Sequence, residues 1–127
     1  HRFLRNVYRR LLIRRYGIFL GYNVRFGMGL SLPHPSSIII GEGITFGEQA
    51  VIYQQTTFGG RRLGDAQKKN YPVIGNRCVF FAGSKVIAGI QVADGTVVGA
   101  NAVLLSDTQP DGVYAGIPAK RLQGGAN

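Results

Sequence analysis

The groups able to exchange a proton or attack a carbonyl near neutral pH are few. His1 and His34 are the only histidines and Cys78 the only cysteine. His1 is a chain end, so His34 carries the case for catalysis. Pro33 and Pro35 flank it, and their fixed φ angles stiffen the backbone that aims the imidazole. An imidazole titrates near neutrality, which suits a general base that takes a proton from a hydroxyl. One cysteine makes neither an intrachain disulfide nor a thiolate metal cluster, and one useful histidine falls short of a three-histidine zinc centre. No metal is expected. As a nucleophile Cys78 is a poor candidate, because it falls on an inward position of the repeat that organises the chain and reads as a small core filler.

That repeat has a period of six. Ile74, Phe80, Val86, Val92, Val98 and Leu104 recur without a slip, and the residues four places after the first five are Cys78, Ser84, Ile90, Thr96 and Ala102, all small or apolar. The same rule holds for Ile40, Ile44, Phe46, Ala50, Ile52, Thr56 and Phe58, and before them for Leu20, Val24, Phe26, Leu30, Leu32 and Ser36. The phase jumps by two between Leu32 and Ile40 and by four between Phe58 and Ile74, which marks two insertions, the second a loop over residues 60–72. Neither a helix nor an alternating strand has this period; a parallel β-helix does, each hexad forming one flat side of a triangular coil. His34, two places after inward Leu32, then stands on an outward corner. The 127 residues hold one domain, and 19 glycines fit a chain of many tight corners. The expected class is all-β: about four to five coils, a short N-terminal α-helix and a C-terminal cap, with boundaries at residues 1–19, 20–105 and 106–127.

The net charge of +9 is unevenly spread: seven arginines precede the first acid, Glu42, so the body is nearly balanced. Residues 2–16 put Phe3, Leu4, Val7, Tyr8, Leu11 and Leu12 on one helical face with Arg2, Arg5, Arg9 and Arg10 largely opposite, and Gly17 ends the pattern. The first expectation is that this helix docks its apolar face on the same chain or a partner subunit; the second is a peripheral membrane contact through residues 1–16. Nucleic acid is not expected, since no aromatic stacking surface accompanies the charge. Without a secretory apolar segment after the basic start, the chain reads as cytoplasmic, with the inner membrane surface as the place of any lipid contact. A start at His1 rather than Met reads as a trimmed or truncated product.

At this point the sequence resembles a known family. HPSSIIIGEG (34–43), TTFGG (56–60), FFAGSKVIAGIQV (80–92), VVGANAV (97–103) and AGIPAKRL (115–122), in this order and spacing, are similar to motifs of the left-handed β-helix, hexapeptide-repeat acyltransferases. Within them, residues 20–122 most resemble the branch of serine O-acetyltransferases and capsular or exopolysaccharide O-acetyltransferases. The resemblance implies a left-handed coil, a homotrimer and direct acetyl transfer from acetyl-CoA to a hydroxyl, with His34 as general base. It also implies a cofactor groove along stacked coils between subunits, walled by Ala82, Gly83, Ala100 and Ala119, with Lys85, Lys120 and Arg121 toward the phosphates.

Departures from the serine enzymes shape the remaining expectations. Where that pattern has an aspartate before the histidine, a second histidine before a proline in the long loop, and an upstream aspartate, this chain has Pro33, Tyr71 and Phe19. Serine is therefore set behind a sugar hydroxyl in surface polysaccharide synthesis as the expected acceptor; a serine O-acetyltransferase and a non-catalytic trimeric scaffold are the alternatives. Tyr71, Arg61 and Arg62 are the candidate acceptor contacts, in a loop whose Lys68 and Lys69 add positive charge. Glu42, Glu48 and Asp65 are the candidates to orient His34 across a subunit interface.

Overall fold

The computed structural model describes residues 1–123, and all that follows concerns these. Helix α1 (Arg2–Tyr16) precedes a coil in which very short strands alternate with corners. The first turn holds β1 (Phe19–Leu20) and β2 (Arg25–Phe26), and the second β3 (Ile39–Ile40), β4 (Thr45–Phe46) and β5 (Val51–Ile52). The third holds β6 (Thr57–Gly59), β7 (Val73–Ile74) and β8 (Val79–Phe80), and the fourth β9 (Lys85–Ile87), β10 (Gln91–Val92) and β11 (Val97–Val98). An incomplete fifth turn adds β12 (Val103–Leu104) and β13 (Val113–Ala115), and β14 (Lys120–Arg121) folds back on β13 as the one antiparallel pair.

Three parallel sheets form the faces of a triangular prism. Face 1 stacks β1, β3, β6, β9 and β12; face 2 stacks β2, β4, β7 and β10; face 3 stacks β5, β8, β11 and β13, closed by β14. Register follows the repeat, Ile40 lying over Phe58 and Phe58 over Val86. The prism is the parallel β-helix that the hexads predict, with the left hand that the resemblance implies.

One side chain per hexad points inward because a two-residue strand offers only one inward position, and the fourth place after it fills the corner beneath. From Ile40 to Leu104 every such residue is buried, including Thr56, Ser84 and Thr96. Thr56 and Thr96 return their hydroxyl protons to Tyr53 O and Ala93 O within the same corner, which makes them tolerable inside. Phenylalanines fill the wide lower half: the rings of Phe26 and Phe46 stack at 4.9 Å, and Phe58 meets Phe46 and Phe80 edge to face at 5.0 and 4.9 Å. Each corner needs one residue in the left-handed region. Gly43, Gln49, Gln55, Arg77, Gly83, Gly95 and Asn101 occupy it, with φ between 57° and 78°, which is why glycine and amide residues recur at multiples of six. The open upper end of face 2 is covered by side chains: Asp107 Oδ1 accepts the Gln91 N–H, and Thr108 Oγ1 the Ala93 N–H.

Two local expectations are corrected. Ser36 is exposed and Ile38, 1% exposed, fills the inward place below Ile40, so the two extra residues lie in the corner between Leu32 and Ile38 that carries His34. Helix α1 ends at Tyr16 with Gly17 at φ 65°, whose N–H bonds Ile13 O, but it does not rest its apolar face on its own chain. Leu12 packs on the core, while the rest of the attachment is polar: Arg9 Nε donates to Leu20 O at 2.9 Å, and its guanidinium lies 4.0 Å over the Tyr22 ring. The body offers a carbonyl and an aromatic face there, which suit an arginine better than a leucine.

Candidate active site

The three edges of the prism sort the candidate residues. The edge between faces 3 and 1 is built of corners 33–37, 53–56, 81–84 and 99–102 and the turn 116–119, stacked in that order by Gln55 N to Ser36 O, Gly83 N to Gln54 O, Asn101 N to Ala82 O and Val103 N to Gly116 O. At about 4.8 Å per coil, His34 and the turn 116–119 are roughly 19 Å apart along this one edge.

His34 stands exposed at the lower end, on the corner lengthened by two residues. Its Nδ1 lies 3.0 Å from Gln54 Oε1, one coil above. An amide oxygen only accepts, so Nδ1 donates and Nε2 is left with its lone pair directed outward. The ring meets Tyr53 edge-on at 5.7 Å, and Tyr53 stacks on Phe81 at 5.1 Å. Glutamine, tyrosine and phenylalanine thus hold the imidazole where a carboxylate was expected. Gln54 was the residue missed, and its signal was spacing: twenty positions after His34 is one coil of eighteen plus the two-residue insertion.

Above Phe81 the outward corner residues become small. Ala82 is half-buried and Ala100 exposed, and the N–H groups of Gln54, Ala82 and Ala100 have no backbone partner among the described residues. The edge is therefore a narrow strip of small side chains and free donors leading away from the imidazole. Gly83 and Ala119 belong to its interior: both are buried, and their N–H groups go to Gln54 O and Val103 O. Lys85 Nζ donates to the Gly83 carbonyl at 2.8 Å, which holds its ammonium beside the strip, and Lys120 emerges exposed after the Ile117–Pro118 turn.

The other candidates lie elsewhere. The loop 60–72 springs from the edge between faces 1 and 2, where it and Glu42 enclose a cleft of about 310 Å³ lined also by Arg62, Leu63 and Tyr71. Asp65 organises the loop from inside, its Oδ2 accepting the N–H groups of Arg61 and Arg62, each at 2.7 Å. Those bonds, that of Arg62 first, hold its carboxyl below the usual aspartate range. Glu48 lies on the third edge, its N–H donating to Asn76 Oδ1. Within one chain, then, none of Glu42, Glu48 and Asp65 reaches His34, and Tyr71, Arg61 and Arg62 share no edge with it. Cys78 is fully buried, its thiol directed at Ala93 O at 3.3 Å, and burial pushes its pKa up; both suit a core filler and neither a nucleophile.

No family model matches the chain. Among curated proteins it is similar to the serine acetyltransferase of Helicobacter pylori, 38% identical over 106 residues, which are 84% of this chain and 61% of that protein. The chain thus spans about three fifths of that relative's length. Among solved structures it superposes on the serine acetyltransferase of Neisseria gonorrhoeae with a TM-score of 0.82 at 26% identity, covering 94% of this chain and 45% of that one. A serine acetyltransferase solved in complex with CoA has the same fold, with a TM-score of 0.82 at 23% identity over 94% of this chain and 48% of that one. These findings overturn the expectation of a sugar acceptor in polysaccharide synthesis. That expectation rested on Pro33, Tyr71 and Phe19, three positions, whereas the likeness to a serine acetyltransferase extends over 106 residues.

Proposed function

We propose that the chain is a left-handed β-helix acyltransferase of the serine acetyltransferase branch, to which it is similar over 84% of its length, and that it transfers acetyl from acetyl-CoA to the hydroxyl of serine with His34 as general base. The observation that carries this reading is the edge just described: an imidazole with a free Nε2, fixed through Nδ1 by Gln54, at the foot of a strip of small corners with free N–H donors.

His34 Nε2 takes the proton of the acceptor hydroxyl as its oxygen bonds to the thioester carbonyl carbon. The carbonyl π electrons move onto oxygen, where the Gln54 N–H, without a backbone partner one coil above His34 on the same edge, is the donor that would stabilise the charge. When the tetrahedral centre collapses, the C–S bond breaks, the imidazolium returns its proton to the leaving sulfur, and the products are O-acetylserine and CoA. No covalent enzyme intermediate is required, in keeping with a buried Cys78. Ala82 and Ala100 let the thin thioester arm lie against the backbone and offer their N–H groups to its amide carbonyls, while Lys85 and Lys120 stand near its anionic end.

The same edge supports a homotrimer. His34 and the strip form one wall only, and Arg61, Arg62 and Tyr71 project from a different edge of the same chain. A neighbouring subunit that sets its 60–72 loop against this edge supplies the second wall, and Arg61 and Arg62 then meet the carboxylate of serine. Sedimentation together with kinetics tests this: a trimer whose Arg62→Ala variant raises the KM for serine supports it, and a fully active monomer contradicts it.

A further inference from the structure

Helix α1 is attached in the reverse of the usual amphipathic arrangement. Phe3, Leu4, Val7, Tyr8 and Leu11 span about 140° of its circumference at 100° per residue. All five face away from the β-helix, with exposures from 36% for Val7 to 75% for Phe3. What turns toward the body is Leu12 and the cationic side, through Arg9 on Leu20 O and over the Tyr22 ring, with Arg5 5.1 Å from the same ring. The docking thus holds a 15-residue helix at a fixed angle while leaving its apolar stripe in water. On the helical wheel Arg10 borders that stripe while Arg14 and Arg15 fall within its arc, in the turn beyond Leu11, and the helix contains six arginines and no acid.

We infer that α1 is an interfacial anchor that lays this stripe on an anionic lipid bilayer. A bilayer surface supplies both halves of the complement: an acyl boundary for the five apolar side chains, and negative head groups for these three guanidiniums, whose aliphatic stems let them reach outward. A second copy of the helix fits poorly, because pairing stripe to stripe brings Arg10, Arg14 and Arg15 of both copies together with no carboxylate in either helix. A nucleic acid would answer the arginines and leave the apolar stripe unburied. The 15 residues of α1 extend about 22 Å, and no helix among the described residues is long and apolar enough to cross a bilayer.

Co-sedimentation of the full chain with vesicles tests this, using phosphatidylcholine alone and phosphatidylcholine mixed with phosphatidylserine. The expected result is binding to the mixed vesicles only, weakened at least tenfold in the Leu4→Ser/Leu11→Ser double variant and by added salt. Both leucines are more than half exposed, so the variant retains the fold, which circular dichroism verifies. Failure of the unaltered chain to bind mixed vesicles overturns the inference, as does binding that survives the double substitution. A drop in sedimenting mass on substitution, without vesicle binding, assigns the stripe to self-association instead. Acetyl transfer enters none of these readouts, so anchor and enzyme stand or fall separately.

Discussion

His34 and Gln54 are twenty residues apart in sequence and 3.0 Å apart in space, Nδ1 to Oε1, because the corner that carries His34 is two residues longer than its neighbours and one coil separates the pair. The pair fixes the tautomer of the proposed base without bringing charge to it. A carboxylate in that place would also stabilise the imidazolium formed during transfer; a glutamine supplies orientation alone.

Gln54→Leu is expected to lower kcat toward about a hundredfold, with little change in the KM for acetyl-CoA, since a misplaced base costs rate rather than cofactor affinity. Gln54→Glu keeps an acceptor for Nδ1–H and should retain most of the activity. Steady-state kinetics of the two variants distinguishes an orienting residue from one needed only for folding, for which both substitutions would fail alike.

Cys78→Ala should keep acetyl transfer within a factor of about two, at a stability cost on the order of 1 kcal/mol from lost packing. Thermal melting and turnover before and after treatment with a thiol reagent check both parts. Rapid inactivation of the native chain by the reagent would contradict the buried assignment.

The strip of small corners predicts steric control of cofactor binding. Ala100→Tyr places a ring on an exposed corner, so it should raise the KM for acetyl-CoA about tenfold or more without moving the Tm. Gly83→Val should act differently, lowering the Tm, because position 83 has φ 73° and is buried.

Asp65 gives the loop a pH dependence. Its folded pKa lies below the ordinary 3.8, so the stabilisation it contributes is complete above that value and is lost as the pH falls through the folded pKa. The protection of the amides of Arg61 and Arg62, which donate to its carboxylate, relative to their intrinsic exchange rates should therefore be high at neutral pH and be lost as the pH falls through the folded pKa, below 3.8. Asp65→Asn should speed their exchange at neutral pH. Amide exchange by NMR reads both.

The coil was legible in the sequence because burial and spacing express the same geometry. A hexad that puts Ile74, Phe80 and Val86 inward leaves no other period for the chain, and the phase jumps located both insertions. The resemblance singled out His34, and the edge geometry then gave it a place beside Ala82 and Ala100. What the sequence concealed was which edge each corner belongs to once the insertions are counted. Glu48 and Asp65 are close to catalytic motifs along the chain, yet they turn onto the other two edges, while Gln54 sits in an unremarked run of polar residues and lands on the imidazole. Ser36 kept the phase and still lost its place to Ile38, because the two added residues come after it begins to turn. The orientation of α1 was illegible for a related reason: hydrophobic periodicity reports an apolar face but not a carbonyl at Leu20 and a ring at Tyr22 that hold Arg9 more firmly.

The most direct test of the central claim is thiol release from acetyl-CoA in the presence of serine, measured for the native chain and His34→Ala. The account predicts serine-dependent release that the substitution lowers by about a hundredfold or more, with CoA binding unchanged. Release that persists at the native rate in His34→Ala, or a native chain that binds CoA and acetylates no serine, would contradict it.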